Sequence, residues 1–343
     1  MFRQLTLGAL ALLAALHVHA QNIQLTPDYP DVYVVTPGDT LWDISALFLQ
    51  DPWLWPEIWQ INEQVENPHF IYPGDRLRLV FVDGQPRLVT DAMPTSDRVV
   101  RLTPQMTSMP VDEAITAIPL DQIREFFSQT RVLSEEEIES APYMVAGPES
   151  RIMIGQGDRM YSRGVLTPGV NLYQVYRVGE RYRDPETREW LGTRAELMGT
   201  ARLESVSGEV GSLTLTSSAS EIIPGDLLFP IQQQDMDAVF FPRVPSSTIN
   251  GEIIAVEGGV NYIGQLDVVA INRGLEHDIS NGLVLQVLDR GEQVRDRVEG
   301  GRVQLPDERA GVLIVFRTLP KMSFGLVLEA EKPLAVGSPI TNP

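Results

Sequence analysis

The chain has no cysteine, and this absence excludes disulfide bonds, a lipid-modified N-terminal cysteine and the thiol nucleophile of cysteine peptidases. Basic residues are also scarce, since 27 Lys and Arg stand against 46 Asp and Glu and give a formal net charge of −19. An acidic surface of this kind repels nucleic acid and anionic lipid headgroups. We therefore expect neither of them as a partner.

Long apolar runs are absent except at the N-terminus. Arg3 precedes an apolar run over residues 5–16, and residues 18–20 (Val-His-Ala) form a small-x-small cleavage site. This pattern predicts a secretory signal peptide over residues 1–20, cleaved after Ala20, and the run is too short to span a bilayer. We expect a mature protein that is soluble and periplasmic, without direct membrane insertion.

Residues 31–81 have the pattern of a strand, two helices and a second strand. Thr36-Pro37-Gly38-Asp39 breaks the first strand, because glycine accommodates a tight turn and proline cannot continue a ladder. Tyr72-Pro73-Gly74-Asp75 repeats this turn before a strand over residues 77–80. Thr40 and Asp43 predict a short-armed capping box for the first helix, and Pro56 predicts a second helix over residues 56–62.

This ordered set of elements resembles the LysM domain, a module that holds glycans containing N-acetylglucosamine, such as peptidoglycan. The resemblance implies a shallow glycan groove between the loop after the first strand and the loop before the second. It places the glycan contacts at Gly38, Asp39, Thr40, Leu41, Ile71, Tyr72 and Pro73. Backbone amides and an apolar floor suit a neutral polysaccharide, which needs no cluster of charges.

Four of the 5 tryptophans fall inside this module, namely Trp42, Trp53, Trp55 and Trp59. They admit two interpretations, a stacking surface for sugar rings or a hydrophobic core. Aromatic residues at helical spacing in a small domain usually fill its core. We therefore predict that these side chains are buried.

Residues 82–142 predict a linker with short helices. Proline and polar residues punctuate residues 81–110, which suggests a mostly extended connector with a short strand over residues 98–102. A helix is predicted after Pro119 through Phe126 and Phe127. Ser134 and Glu137 predict a capping box for a second helix, and we expect this pair to dock on the region that follows.

From residue 143 onward the chain predicts short strands separated by turn residues. Three pairs of similar segments, which we call echoes, suggest an internal repeat. They are Ile154–Asp158 with Ile263–Asp267, Gln174–Glu180 with Gln286–Glu292, and Leu213–Leu215 before Ile223–Asp226 with Leu326–Leu328 before Ala335–Ser338. We infer two related small β-barrels or sandwiches, over residues 143–231 and 247–343. The expected fold class is α+β, a βααβ LysM domain followed by a mainly-β C-terminal region.

A signal peptide, an N-terminal LysM domain and a β-rich C-terminus together resemble the type IV pilus secretin-associated protein family. The likeness of the C-terminal region depends on Leu305–Glu308 followed by Gly311–Arg317, and on the echoes above. The resemblance implies an adaptor that ties an outer-membrane secretin ring to peptidoglycan. Flagellar or secretion-system accessory proteins remain an alternative that differs in partner.

A LysM-targeted peptidoglycan hydrolase is the alternative from another class. If residues 1–20 are removed, only His69 and His277 remain, which is too few for a typical hydrolytic zinc site, and no Gly-x-Ser-x-Gly elbow occurs. Paired carboxylates, such as those among Glu135–Glu137 and Glu139, stay open, although helix capping explains them better. We expect no enzyme activity, no metal and no cofactor, and we expect His277 in an exposed turn.

Overall fold

The computed structural model describes residues 23–59, 71–90, 115–231, 240–258 and 262–343. The signal peptide, His69, the end of the second LysM helix and the possible strand over residues 98–102 lie outside these ranges. Among the described residues, no helix is both long and apolar enough to cross a membrane. The fold is α+β, with a small helical and stranded module followed by a mainly-β region, which confirms the expected fold class.

The LysM region contains the expected order of strand, helices and strand. Its elements are β1 (Tyr33–Val34), α1 (Leu41–Phe48), α2 (Trp55–Trp59), β2 (Arg76–Val82) and β3 (Gln85–Thr90). The order β1-β2-β3 gives an antiparallel sheet, in which β3 pairs with β2 along its whole length. β3 was not predicted, and it lies inside the stretch that the sequence suggested as connector.

Two helices and a strand follow: α3 (Asp121–Gln129), β4 (Thr130–Leu133) and α4 (Glu135–Ser140). Ser134 and Glu137 form the predicted capping box of α4, since the Ser134 hydroxyl accepts the Glu137 N–H at 3.1 Å and the Glu137 carboxylate accepts the Ser134 N–H at 2.9 Å. Phe126 of α3 packs on Phe316 and Phe324, with ring centroids 5.5 and 4.6 Å apart. The expected docking onto the C-terminal region is thus observed.

The first β unit is a ring of six antiparallel strands with β4 added at its side. The strands are β5 (Tyr143–Ala146), β6 (Arg159–Arg163), β7 (Leu172–Arg183), β8 (Trp190–Ser207), β9 (Val210–Ser218) and β10 (Leu227–Pro230). Pairing runs β8-β7-β10-β5-β6-β9 and closes through β8 and β9, while β4 pairs with the other part of β8. We call this ring the first barrel.

The second β unit is a closed six-stranded barrel with an appended hairpin. Its strands are β11 (Asn250–Val256), β12 (Val268–Ile271), β13 (Val284–Asp289), β16 (Glu308–Thr318), β17 (Ser323–Ala330) and β18 (Pro339–Thr341), and the hairpin is β14 (Gln293–Arg295) with β15 (Arg302–Gln304). The pairing order is β11-β12-β17-β16-β13-β18. Numbered by position within each barrel, the two rings have the same strand order.

Matching hydrogen bonds fix the register between the two barrels. The Leu215 N–H donates to Asp158 O at 2.9 Å, and the Val327 N–H donates to Asp267 O at 3.0 Å. Leu215 therefore corresponds to Val327, whereas the sequence echo aligned it with Leu328. The echo of Leu213–Leu215 with Leu326–Leu328 was wrong by one residue, and in a strand a one-residue slip exchanges the two faces.

The other echoes are in register with the structure. Asp158 and Asp267 close equivalent turns by accepting the N–H of Gly155 at 3.0 Å and of Gly264 at 2.8 Å. At the later turns, Asp226 accepts the Ile223 N–H at 2.9 Å and the Ser338 hydroxyl accepts the Ala335 N–H at 3.2 Å. These are the same four-residue turns that the sequence shows twice in the LysM region.

The core of the LysM region is continuous with the outer face of the second barrel. One buried apolar cluster joins the LysM tryptophans to side chains of β12, β13, β16 and β17, including Val312, Phe316 and Leu328. Arg309 lies over the Trp53 ring at 5.7 Å, and the rings of Trp55 and Phe241 are 5.9 Å apart. The LysM region therefore packs directly on the second barrel, and residues 91–110 of the predicted connector lie outside the described ranges.

Candidate functional site

Two glycine turns lie side by side at one end of the LysM sheet. β1 and β2 pair antiparallel with Val34 opposite Arg76, so the turn after β1 and the turn before β2 occur at the same end. The Gly74 N–H donates to Val35 O at 2.8 Å and joins the two turns. Gly38 and Gly74 have φ of 97° and 98°, the left-handed region that glycine adopts without steric cost.

The Asp39 carboxylate is occupied inside its own turn. It accepts the Thr36 N–H, the Thr36 hydroxyl and the Tyr33 hydroxyl, each at 2.8 Å. Burial, and then the hydrogen bond to Asp39, raise the pKa of Tyr33. Asp39 therefore fixes the shape of the loop, and its contact with a glycan stays a prediction.

Helix α1 begins directly after the first turn, with Thr40 as its N-cap. The Thr40 hydroxyl accepts the Asp43 N–H, and the Asp43 carboxylate accepts the Thr40 N–H, both at 3.2 Å, which confirms the predicted capping box. The N–H groups at the start of a helix have no partner within the helix. This capping box leaves the amides of Leu41 and Trp42 for a partner outside α1.

A segment from beyond the LysM sheet supplies that partner. The Leu41 N–H donates to Thr116 O at 2.9 Å, and the Trp42 N–H donates to Ala117 O at 3.1 Å. The Ile115 N–H donates to Ile71 O at 2.9 Å, so the segment bridges the loops on the two sides. We call residues 115–118 the groove strap. Sequence analysis did not predict it, although the apolar residues before Pro119 were a signal that this segment is buried.

The structure brings only some of the predicted contact residues onto an open surface. Gly38, Asp39, Thr40 and Pro73 line a groove of about 660 Å³. The other lining residues come from the first LysM turn and helix, the strap and the two residues after it, α3 and a turn of the second barrel: Pro37, Asp43, Ile115, Thr116, Pro119, Leu120, Asp121, Arg124, Gln265 and Leu266. The groove is thus a composite of three regions of the chain.

The remaining predicted contact residues lie elsewhere. Leu41 and Ile71 are 1% and 0% exposed, and their backbone groups bond to the strap. Tyr72 is 38% exposed and lies outside the groove lining. The sequence could not distinguish backbone positions that face the strap from side chains that face solvent, and the glycan contacts of all seven residues stay a prediction.

The tryptophans are core residues, as predicted. Trp42, Trp53, Trp55 and Trp59 are 2%, 7%, 1% and 5% exposed. They pack beneath the two loops and against the second barrel, and do not form an exposed stacking surface. His277 lies exposed at the end of a short 3-10 turn, as expected, and its Nδ1 accepts the Gly274 N–H at 3.3 Å.

Comparison with known proteins identifies the N-terminal module. Residues 33–80 match the model of the LysM domain family, so the chain carries a LysM domain, a module that suggests binding of peptidoglycan or a related carbohydrate. The chain is also similar to a Bacillus subtilis (strain 168) protein described as uncharacterized protein YqbP, with 35% identity over 60 residues. That stretch covers 15% of this chain and 27% of the relative.

Proposed function

We propose that this protein is a periplasmic, non-enzymatic adaptor that binds peptidoglycan through its LysM domain. The pair of glycine turns facing one groove is the observation that carries the proposal. A neutral glycan suits the part of the groove formed by loop backbone, the Thr40 hydroxyl and Pro73, because the carboxylates of Asp39 and Asp43 are already bonded within their own turns. The sequence pattern of a signal peptide supports a location outside the cytoplasmic membrane.

We propose further that the adaptor anchors an envelope machine, with a type IV pilus secretin ring as its partner. This choice is supported by the resemblance of the chain organisation to the secretin-associated family. Several copies on one ring would bind the wall at high effective concentration, which can raise avidity by about 10²–10⁴ without any new contact. Co-purification of the mature protein with an outer-membrane secretin tests the partner separately from wall binding.

A sacculus pulldown tests wall binding and has a matched control in the chain. Gly38 and Gly225 occupy the same kind of turn, with φ of 97° and 95°, and a Cβ at either position would meet nothing within 4 Å. Gly38→Val and Gly225→Val therefore introduce the same backbone strain, in the LysM loop and in the first barrel respectively. We expect Gly38→Val to lower retention on purified sacculi by about tenfold, a difference of ~1.4 kcal/mol, with Gly225→Val like the parent.

The same experiment separates an adaptor from a hydrolase. The supernatant of the pulldown is analysed for released muropeptides after prolonged incubation. Retention without release agrees with the proposal, and release that scales with protein concentration would make the protein an enzyme. Equal retention of the two glycine variants would place wall binding outside the LysM loops.

A further inference from the structure

The groove strap occupies the positions at which the LysM loops offer backbone hydrogen bonds. Leu41 and Trp42 are the first two residues of α1, and their N–H groups donate to strap carbonyls at 2.9 and 3.1 Å. On the facing loop, Ile71 O accepts the Ile115 N–H at 2.9 Å. Thr40 and Thr116 are bridge partners in a parallel arrangement, so the strap lies along the loop like an added strand.

The strap has the same hydrogen-bonding groups as an N-acetylglucosamine chain. An acetamido group is itself an amide, with one carbonyl acceptor and one N–H donor, as in each peptide unit. A glycan that used the backbone of these two loops would therefore need the donors and the acceptor that the strap already engages. The strap and a glycan cannot both form full-strength hydrogen bonds to the same N–H groups.

We propose that the groove strap is an intramolecular competitor of the glycan, so that full wall binding by the LysM domain requires release of residues 115–118. This inference rests on the proposed function. A protein whose binding-competent state is fractionally populated binds with an affinity reduced by that fraction. The strap thus sets the apparent affinity of the wall site.

Packing and anchoring make release of the strap a local event. Ile115, Ala117 and Ile118 are 6%, 3% and 0% exposed, so the strap is held by apolar burial as well as by hydrogen bonds. The chain then enters α3, whose Phe126 ring lies 4.6 Å from that of Phe324 in the second barrel. Helix α3 can stay docked while the strap leaves the loops.

The part of the groove beside the strap gives a glycan a first place to bind. Gly38, Asp39 and Pro73 line this open space, with Arg124 of α3 and the Gln265–Leu266 turn opposite. A sugar residue seated there lies next to the strap bonds that further residues of the glycan would replace. A longer oligosaccharide therefore displaces the strap more effectively than a single sugar.

A disulfide lock tests the competition directly. The chain has no native cysteine, so Thr40→Cys with Thr116→Cys creates a single possible pair. Bridge partners lie within the Cα separation that a disulfide requires, about 4.4–6.8 Å. The mature full-length variant is titrated with chitotetraose in its oxidised and reduced forms, and the Thr40→Cys single variant controls for loss of the helix cap.

We expect the oxidised lock to bind chitotetraose at least about tenfold more weakly than its reduced form. Ile118→Ala, which weakens packing of the strap, should bind about tenfold more tightly than the parent. Equal affinities of the oxidised, reduced, parent and Ile118→Ala proteins would overturn the strap inference while leaving glycan binding intact. Absence of binding by all of them would overturn the proposed function and this inference with it.

Amide hydrogen exchange on the unmodified protein gives a second readout. Saturating chitotetraose should raise the exchange rate of the Ile115 N–H, while the Leu41 and Trp42 amides stay protected because the glycan replaces their partner. The Leu215 N–H, which donates to Asp158 O at 2.9 Å in the first barrel, is the internal reference. Unchanged protection of Ile115 under saturation would overturn the inference.

Discussion

The outer faces of β9 and β17 differ, although these strands occupy the same place in two barrels of one topology. Gln156 donates to Thr216 O at 3.1 Å, and Gln265 donates to Leu328 O at 3.0 Å, so Thr216 and Leu328 are equivalent. Thr216 is exposed, whereas Leu328 is 1% exposed under the LysM region. The side chains that point outward from a barrel therefore decide whether its surface faces solvent or supports another domain.

The same contrast extends along the neighbouring strands. In β16 and β17 of the second barrel, runs of consecutive residues are buried, because interior side chains face the barrel core and outward ones face the LysM core. In β9 of the first barrel, burial alternates, as expected for a sheet with one covered face. The continuous apolar run from Gly311 to Phe316 is the sequence counterpart of this double burial.

Exchange of the equivalent outward residues Leu328 and Thr216 should have the largest effect on the difference between the two barrels. Leu328→Thr removes buried apolar contacts and buries a hydroxyl, so we expect a loss of about 2–4 kcal/mol in the free energy of unfolding. Thr216→Leu changes an exposed position and should stay within about 0.5 kcal/mol. Urea denaturation followed by tryptophan fluorescence measures both, since four of the 5 tryptophans lie in the LysM region.

The two variants also test which barrel supports the module. Leu328→Thr should shift the transition seen by the tryptophans toward lower urea concentration, because the side chain belongs to their cluster. Equal shifts for Thr216→Leu and Leu328→Thr would contradict the assignment of the second barrel as the supporting surface.

A smaller effect separates the barrels at their last turns. Asp226 is 2% exposed and accepts the Nε and Nη2 groups of Arg177 at 2.9 and 2.8 Å, while the equivalent Ser338 only closes its turn. The hydrogen bond to Asp226 raises the pKa of Arg177. Asp226→Ser keeps a turn acceptor but removes these charged bonds, and we expect a loss of about 1.5–3 kcal/mol in the free energy of unfolding.

Its control is the reverse exchange. Ser338→Asp supplies a carboxylate where the counterpart of Arg177 is Asp289, a residue of like charge. The neighbouring Arg290 already donates to Gly337 O at 3.2 Å and is paired with Glu252, so we expect no bidentate pair like that of Asp226 with Arg177. Thermal unfolding of both variants should show a lowered midpoint for Asp226→Ser and no increase for Ser338→Asp. A gain in the second variant would mean that a turn carboxylate stabilises the second barrel without a counterpart of Arg177, through turn closure or through the neighbouring Arg290.

Local patterns in the sequence predicted local structure well. Capping at Thr40 and Ser134, both LysM turns and burial of the tryptophans each depend on residues close in sequence, and each was found. The echo of Leu213–Leu215 failed by one residue because both segments have a Leu-x-Leu pattern, which does not by itself fix the register, whereas the hydrogen bonds to Asp158 and Asp267 do.

Such local patterns could not predict the groove strap. Its bonds join residues far apart in sequence, Thr116 with Leu41 and Ile115 with Ile71, and nothing near either partner specifies the pairing. The same holds for the Gln265–Leu266 turn, which the fold of the second barrel brings to the LysM groove. The sequence therefore predicted the two loops as elements, while the tertiary structure determined which of their groups bond to the strap and which line the groove.

The smallest expected effect concerns the turns that carry Gly157 and Leu266. These residues are equivalent, since the Gly157 N–H donates to Leu215 O at 2.8 Å and the Leu266 N–H to Val327 O at 2.7 Å, and their φ values are 89° and 69°. A left-handed conformation costs a residue with a Cβ about 1–2 kcal/mol. We expect Gly157→Leu to lose about that amount in the free energy of unfolding, as measured by urea denaturation.

Leu266→Gly should raise the free energy of unfolding, but by less than Gly157→Leu lowers it. The relief of the left-handed backbone strain is offset by about 0.5–1 kcal/mol of extra chain entropy in the unfolded state. Strain that is retained at a position where glycine would serve points to a use for the side chain, and Leu266 lines the LysM groove. A variant that is at least as stable as the parent but retains less chitotetraose would assign the leucine to the groove. Equal affinity for chitotetraose together with higher stability would instead mean that Leu266 destabilises the second barrel without contributing to glycan binding. The difference between the Gly157 and Leu266 turns would then affect folding alone.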